Sequence, residues 1–423
     1  MDGRTLCLLL VSTSFTYADS NVPTIANDFV FTFFNAYYYN NQPGVLLLAL
    51  VSNNNNGAAN VVVTSPYPSF TTIRIPITPI SIEDQFPGPP NITADGRIFV
   101  EDKGIRLQSD LPVAVYAHAE VYNGASADSF LVLPTVHLGT QYVALTSTES
   151  GLPNVIAVVA YQDNTQVTIG NQTVTINALQ VASIASKNVL SGIFINGNKP
   201  FGVVSGCMCG FVFDGACNYE AVMLLPVGGW GTQFVAIPFM YLPKNYYQVV
   251  ANTNSTVVSA GGTTVATLNA GEYRIIQTGA ALITSNYPVQ LIQLGEDTGN
   301  LDNYMGNAFF LQLPSTDKMS STNVLFQPTG FFELFGTHFQ FFLRIVTNLA
   351  GAGRIQLDGT TIDALQFKHV PNSNFYYYES ITFNTTHSVK TNNPGTQYSV
   401  ISYSYGLGNG CGFICAFSLP SRI

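Results

Sequence analysis

The sequence predicts an all-β protein made of tandem antiparallel, β-sandwich-like units of about 90 residues each. Three observations carry that expectation. Helical periodicity is almost absent. Runs rich in Val, Ile, Thr, Phe and Tyr alternate throughout with Asn, Gly and Pro, the residues that reverse the backbone. The chain also repeats itself, which decides how the strands are grouped.

Three phrases recur. The first is an apolar run, a Ser/Asn-x-x-Pro turn and a further strand: IRLQSDLPVAVYAH (105–118), IFINGNKPFGVVSG (193–206), ALITSNYPVQLIQLG (281–295) and SVKTNNPGTQYSVIS (388–402). Its prolines are Pro112, Pro200, Pro288 and Pro394. The second closes on Leu-Pro: FLVLPTVHLGTQYVAL (130–145), VMLLPVGGWGTQFVAI (222–237), FFLQLPSTDKMSSTNVLF (309–326) and a faint CAFSLP (415–420). The third is a pair of strands round an Asn-rich turn, a hairpin. It reads VIAVVAYQDNTQVTI (155–169), YYQVVANTNSTVVSA (246–260) and, more loosely, FFLRIVTNLAGAGRIQL (341–357), with LLLALVSNNNNGAANVVVT (46–64) as a first copy.

These phrases divide the chain into a leader (1–18), a first unit with an N-terminal extension (19–150), and units at 151–240, 241–330 and 331–423. Alternation fits a two-layered unit: in PFGVVSGC, Phe201, Val203, Ser205 and Cys207 share one face while Val204 lies on the other. The alternative is a β-propeller-like arrangement, because radial repetition also protects sheet edges. The units carry more strands than a four-stranded blade, which favours packed sandwiches.

The N-terminus reads as a secretory leader. Arg4 supplies a basic start, Leu6 to Val11 an apolar stretch, and Thr16-Tyr17-Ala18 a small-x-small cleavage site before Asp19. A secreted, extracellular protein is therefore expected, without membrane insertion: the longest later apolar run, GVLLLALV (44–51), is far short of the roughly 18–20 residues that span a bilayer. Net charge is -9 with only 15 Lys and Arg, and no basic cluster exists, which argues against nucleic acid as a partner.

Export changes how sulfur is read. Cys7 leaves with the leader, and the remaining cysteines should be largely disulfide-bonded. SGCMCGFVFDGAC (205–217) holds Cys207, Cys209 and Cys217, while Cys411 and Cys415 occupy the corresponding connection of the fourth unit. The expected pairs are Cys209–Cys217, with Cys207 as the alternative partner of Cys217, and Cys411–Cys415. No His lies near either cluster, so no metal site is expected. Four sequons, at Asn91, Asn171, Asn254 and Asn384, are expected to carry sugar.

Catalytic signals are thin. His118, His137, His338, His369 and His387 are scattered, with no zinc-protease or nucleophile-elbow motif. His118, at a strand end, reads as a satisfied structural histidine. Adjacent acids such as Glu101-Asp102 point to opposite faces of a strand and make poor acid–base partners. No catalytic residue and no cofactor are expected. Aromatic clusters stand out instead. Tyr37, Tyr38, Tyr39 and Tyr376, Tyr377, Tyr378 are consecutive, so on a strand some must face outward, offering rigid area with a polar tip.

From about Lys103 onward the blocks GIRLQSDLPVAVYAH, FLVLPTVHLGTQYVAL, VVAYQDNTQVTI, NKPFGVVSGCMCG with CNYEAVMLLPVGGWGTQFVAIP, and YYQVVANTNSTVV with LNAGEYRII resemble, in order and spacing, the N-terminal domain of the IgGFc-binding protein family (about 103–420). The resemblance implies extracellular proteins associated with mucus, surfaces or adhesion, whose name-giving member binds immunoglobulin Fc. It also implies a disulfide around SGCMCG…C. The expectation is a secreted, non-enzymatic glycoprotein acting as an extracellular protein- or glycan-binding module. The alternative is a structural component of a mucus or surface coat with no specific small ligand.

Overall fold

The computed structural model describes residues 21–34, 36, 45–83, 94–121, 126–147, 152–212, 217–242, 245–296, 306–331, 339–393, 395–406 and 409–420. Among these the chain is all β, antiparallel throughout, without an α-helix.

Each unit is organised round one long strand. In the first three units these are Ile105–Val121, Phe194–Gly210 and Ala281–Leu294; in the fourth the strand is split into His387–Thr391 and Tyr398–Gly406. The second unit shows the plan. The first half of Phe194–Gly210 pairs with Gly139–Val143 and with the hairpin Thr165–Ile169/Gln172–Ile176. Its second half pairs with Asn154–Ala160 and with the inner strand Asn218–Met223. One strand thus serves two layers, which is the sandwich-like unit the repeat predicts.

The mid-phrase prolines do not make turns. Pro112, Pro200 and Pro288 lie inside continuous strands, at the crossing between layers. On one side the ladder jumps there: from Val113 to Gln108, from Phe201 to Asn196, and from Val289 to Thr284. Proline has no N–H, so it fits where the ladder asks for no donor and the strand bends. Pro394 lies outside the described residues.

Sheet membership also shifts the units. Gly139–Val143, Gly231–Ala236 and Val324–Phe326 pair with the long strands that follow them. Each unit therefore opens just after the Leu-Pro of the one before, ahead of 151, 241 and 331. Leu-Pro ends an inner strand, and a single 3-10 turn follows at Thr135–His137, Val227–Gly229 and Thr316–Lys318. In the first two turns the proline itself stands at the N-terminal boundary, where its missing donor costs nothing.

The units are arranged radially. The inner strands Ala127–Leu131, Asn218–Met223, Phe310–Leu313 and Asn409–Ala416 meet in cyclic order, first to second, second to third, third to fourth and fourth back to first. The circle is closed by the chain ends. Asn21–Pro23 pairs with Ser418–Pro420, the faint fourth Leu-Pro copy. Thr24 reinforces this, its N–H donating to the Phe417 carbonyl at 2.9 Å. The radial feature of the alternative arrangement is thus present, with two-layered units in place of flat blades. One apolar core runs through all units, from Phe29 and Tyr116 to Tyr219, Phe310 and Phe413.

Candidate binding surface

Of the two tyrosine runs, Tyr37, Tyr38 and Tyr39 lie outside the described residues. Tyr376, Tyr377 and Tyr378 stand on the strand Phe375–Thr382, paired on one side with Gln340–Asn348 and on the other with the two-residue strand Lys368–His369. All three are half-buried. Tyr376 lies against the His369 ring at 4.9 Å and Tyr378 against Phe367 at 5.9 Å. Tyr377 points the other way, under the Lys368 ammonium (5.8 Å) and into a small apolar cluster with Val235, Ile237, Val346 and Val370. That cluster is a seam between the third and fourth units. Burial, aided by the nearby Glu379 charge, pushes the Tyr377 phenol up. Further along, Ile381 (56 % exposed) and Phe383 (77 %) offer apolar area to solvent.

Behind this strand sits a buried cation that composition alone does not reveal. Arg344 is 1 % exposed and donates to Glu379 Oε1 (2.9 Å), Gln293 Oε1 (3.1 Å) and the Pro238 carbonyl (2.7 Å). The Phe239 and Tyr403 rings cover its guanidinium. Burial disfavours the charge, but the Glu379 carboxylate beside it more than compensates and holds the guanidinium ionised. The pair fixes the outer strand to the third unit.

Buried polar side chains join the inner strands. Asn218 has its amide nitrogen 2.6–2.8 Å from the carbonyls of Ala127, Ala308 and Gly410, so two hydrogens serve three acceptors from three other units. Its oxygen accepts from Ala127 N–H. Asp128 accepts from the backbone N–H of Ser129, Ala221 and Phe310. Burial drives its carboxyl far up, against those three donors and with Glu220 adding to the rise. Burial likewise pushes Glu220 up to about 8. The sequence gives no hint of either group, because each stands in an ordinary strand phrase.

His118 is where a strand-end structural histidine belongs, with both ring nitrogens engaged. Nε2 lies 2.9 Å from Glu120 Oε2 and Nδ1 2.8 Å from Ser129 Oγ. Ser129 Oγ also meets Thr329 Oγ1 at 2.8 Å, and Phe331 N–H donates to Glu120. Serine, histidine and carboxylate are the parts of an acyl-transfer triad, but all three are fully buried, and the serine oxygen also meets Thr329. This chain ties the 329–331 segment of the fourth unit to the first.

Sulfur divides into two kinds. Cys209 and Cys217 form a disulfide, with their Cα atoms 5.0 Å apart. Cys411 and Cys415 do not pair with each other: both are buried thiols, and Cys207 is likewise buried outside the disulfide. The expected second bridge fails because both residues lie within one extended strand, Asn409–Ala416. Four residues of strand span about 13 Å, well beyond the reach of a disulfide. Of the sequons, Asn171, Asn254 and Asn384 are exposed, and Asn91 lies outside the described residues. Asn171 sits on the hairpin turn between Thr165–Ile169 and Gln172–Ile176. Asn254 sits on the turn from Tyr246–Ala251 to Thr256–Ala260, and the hairpin expected there does not form, because the two strands pair with opposite sides of Ala281–Leu294 and not with each other.

Comparison with known proteins now fixes the lineage. The family model described as IgGFc binding protein matches residues 128–406, from the first inner strand to the end of the last long strand. The chain belongs to the IgGFc-binding protein family. It is also similar to the human (Homo sapiens) IgGFc-binding protein, at 24% identity over 318 residues. That match covers 69% of this chain and 6% of the human protein, so the chain spans a small fraction of that relative's length.

Proposed function

We propose that this chain is a secreted extracellular binding module whose partner surface includes the outer strand Phe375–Thr382. The observation that carries this reading is the row Tyr376, Tyr377 and Tyr378, each left part-exposed, continued by exposed Ile381 and Phe383. Tyrosine supplies rigid contact area at low conformational cost, the composition that protein and glycan partners select. The leader-like N-terminus, the Cys209–Cys217 disulfide and sequons on exposed turns support an oxidising, glycosylating route outward. Immunoglobulin Fc is the partner that the family name suggests first, with mucus glycans next.

The test uses the soluble chain and immobilised Fc or glycan arrays. A Tyr376→Ala/Tyr378→Ala variant should keep its circular dichroism and bind the responsive probe at least about tenfold more weakly. Binding equal to the parent chain would refute the assignment.

A further inference from the structure

Corresponding strands in the second, third and fourth units end differently at the outer edge. In the second unit the outer strand Val181–Ser186 carries an added antiparallel strand, Phe99–Glu101, with Glu101 opposite Val181 and Phe99 opposite Ser183. The residues before it are also held: Gly96 N–H donates to Ala185 and its carbonyl accepts from Gln172, on the first strand position after the neighbouring hairpin turn. The chain thus fills the gap between Gln172–Ile176 and Val181–Ser186. In the fourth unit the equivalent strand Phe375–Thr382 carries Lys368–His369, again antiparallel.

The third unit has the same gap, and no described strand fills it. Its outer strand Tyr273–Gln277 pairs only with Tyr246–Ala251 among the described residues. The facing hairpin strand Thr263–Leu268 is likewise unpaired on its far edge among the described residues. Between them lies a cleft of about 680 Å³, lined by Val265, Leu268, Gly271, Tyr273 and Arg274. The inner side of the ladder is set by Ala251 N–H donating to Glu272 and Thr278 N–H donating to Asn245. By antiparallel alternation, the backbone groups of Tyr273, Ile275 and Gln277 face the cleft. Arg274 is exposed and makes no ion pair among the described residues, whereas Glu272 is engaged by the Asn269 N–H.

We propose that this edge receives an extended segment of a partner protein as an added antiparallel strand. Its backbone pairs with Tyr273–Gln277, and its middle residue, the one that would face Arg274, is acidic. The two filled edges of the same chain fix the direction of the strand, and the second unit fixes its register. Main-chain pairing gives such an edge its affinity, and alternate side chains give it selectivity. A lone arginine on an open edge also discourages self-pairing, which leaves a partner of complementary charge as the favoured occupant. The inference does not depend on the tyrosine strand of the fourth unit.

The probe is a fluorescent synthetic peptide with the chain's own Asp95–Gly104 sequence and glutamate in place of Val100, the position that would meet Arg274. Binding should protect the 273–277 amides from hydrogen exchange. Arg274→Glu should weaken it about fivefold, and a lysine at the middle position should restore it. Ile275→Pro removes a cleft-facing donor at a tolerated edge position and should abolish binding while the chain stays folded. Absent binding, protection mapped elsewhere, or affinity indifferent to the charge swap would each overturn the proposal. So would a dimer of the chain held together through 273–277, which would make a second copy the occupant.

Discussion

The second and fourth units solve the same connection in opposite ways. In the second, the long strand ends at Gly210 and the inner strand begins at Asn218, and Cys209–Cys217 closes the intervening loop. In the fourth, the long strand ends at Gly406 and the inner strand starts at Asn409, directly opposite it in the ladder. Its cysteines have moved into the strand, where Cys411 packs against Ser404 and Thr329. Burial pushes the Cys411 thiol up to about 12, despite those hydrogen bonds. A covalent staple stands where the connection is long and is missing where the backbone closes the turn unaided. Sulfur is a loop device in one unit and a small apolar filler in the other.

The sharpest break of this comparison is at Asn218, on the inner end of the stapled loop. Asn218→Ala leaves buried carbonyls from three units short of a donor and should destabilise by about 4 kcal/mol, read by denaturant unfolding. Asn409, which begins the fourth unit's inner strand and is equally buried, is the matching position, and Asn409→Ala measured the same way compares the two units.

Glu220 is next. Its folded pKa of about 8 stands above the ordinary value of 4.5. The folded chain therefore holds a proton that the unfolded chain has lost between those limits. Stability contributed by this group is complete below pH 4.5 and declines as pH rises to 8. The parent should lose about 4 kcal/mol over that window relative to Glu220→Gln, on the scale of about 1.36 kcal/mol per pKa unit. Unfolding midpoints measured at pH 5 and pH 8 check this; parallel curves for the two chains would contradict it.

The staple follows. Cys209→Ala/Cys217→Ala should cost about 2 kcal/mol, because the loop regains freedom in the unfolded chain. Alkylating the unfolded, unreduced chain should label Cys207, Cys411 and Cys415 and spare the other pair, as mass spectrometry would show. The smallest effect belongs to the outer face. Tyr376→Ala and Tyr378→Ala should each shift stability by less than about 1 kcal/mol, since both are half-exposed.

Local and repeated features were legible in the sequence. The strand phrases, their spacing and the Cys209–Cys217 loop depend on neighbouring residues, and they recur, so each copy checks the others. The prolines misled because Ser/Asn-x-x-Pro has the composition of a turn. Only the paired layers on either side show that the strand runs through. Cys411–Cys415 misled because sequence spacing resembles loop spacing until the residues are known to be extended. Radial closure was legible only as the alternative to packed sandwiches, and the Asn218 hub and the acids Asp128 and Glu220 were invisible. Each depends on partners from other units, and no local pattern marks a strand as innermost.

The pairing of Asn21–Pro23 with Ser418–Pro420 has a consequence for how the molecule is made. The strand Asn21–Pro23 waits for one made about four hundred residues later. Units can assemble one after another during synthesis, yet the circle stays an open arc until Ser418–Pro420 has emerged. In that interval the first and last inner strands expose apolar flanks. Truncating the chain before residue 418 should therefore yield aggregation in place of a smaller folded product.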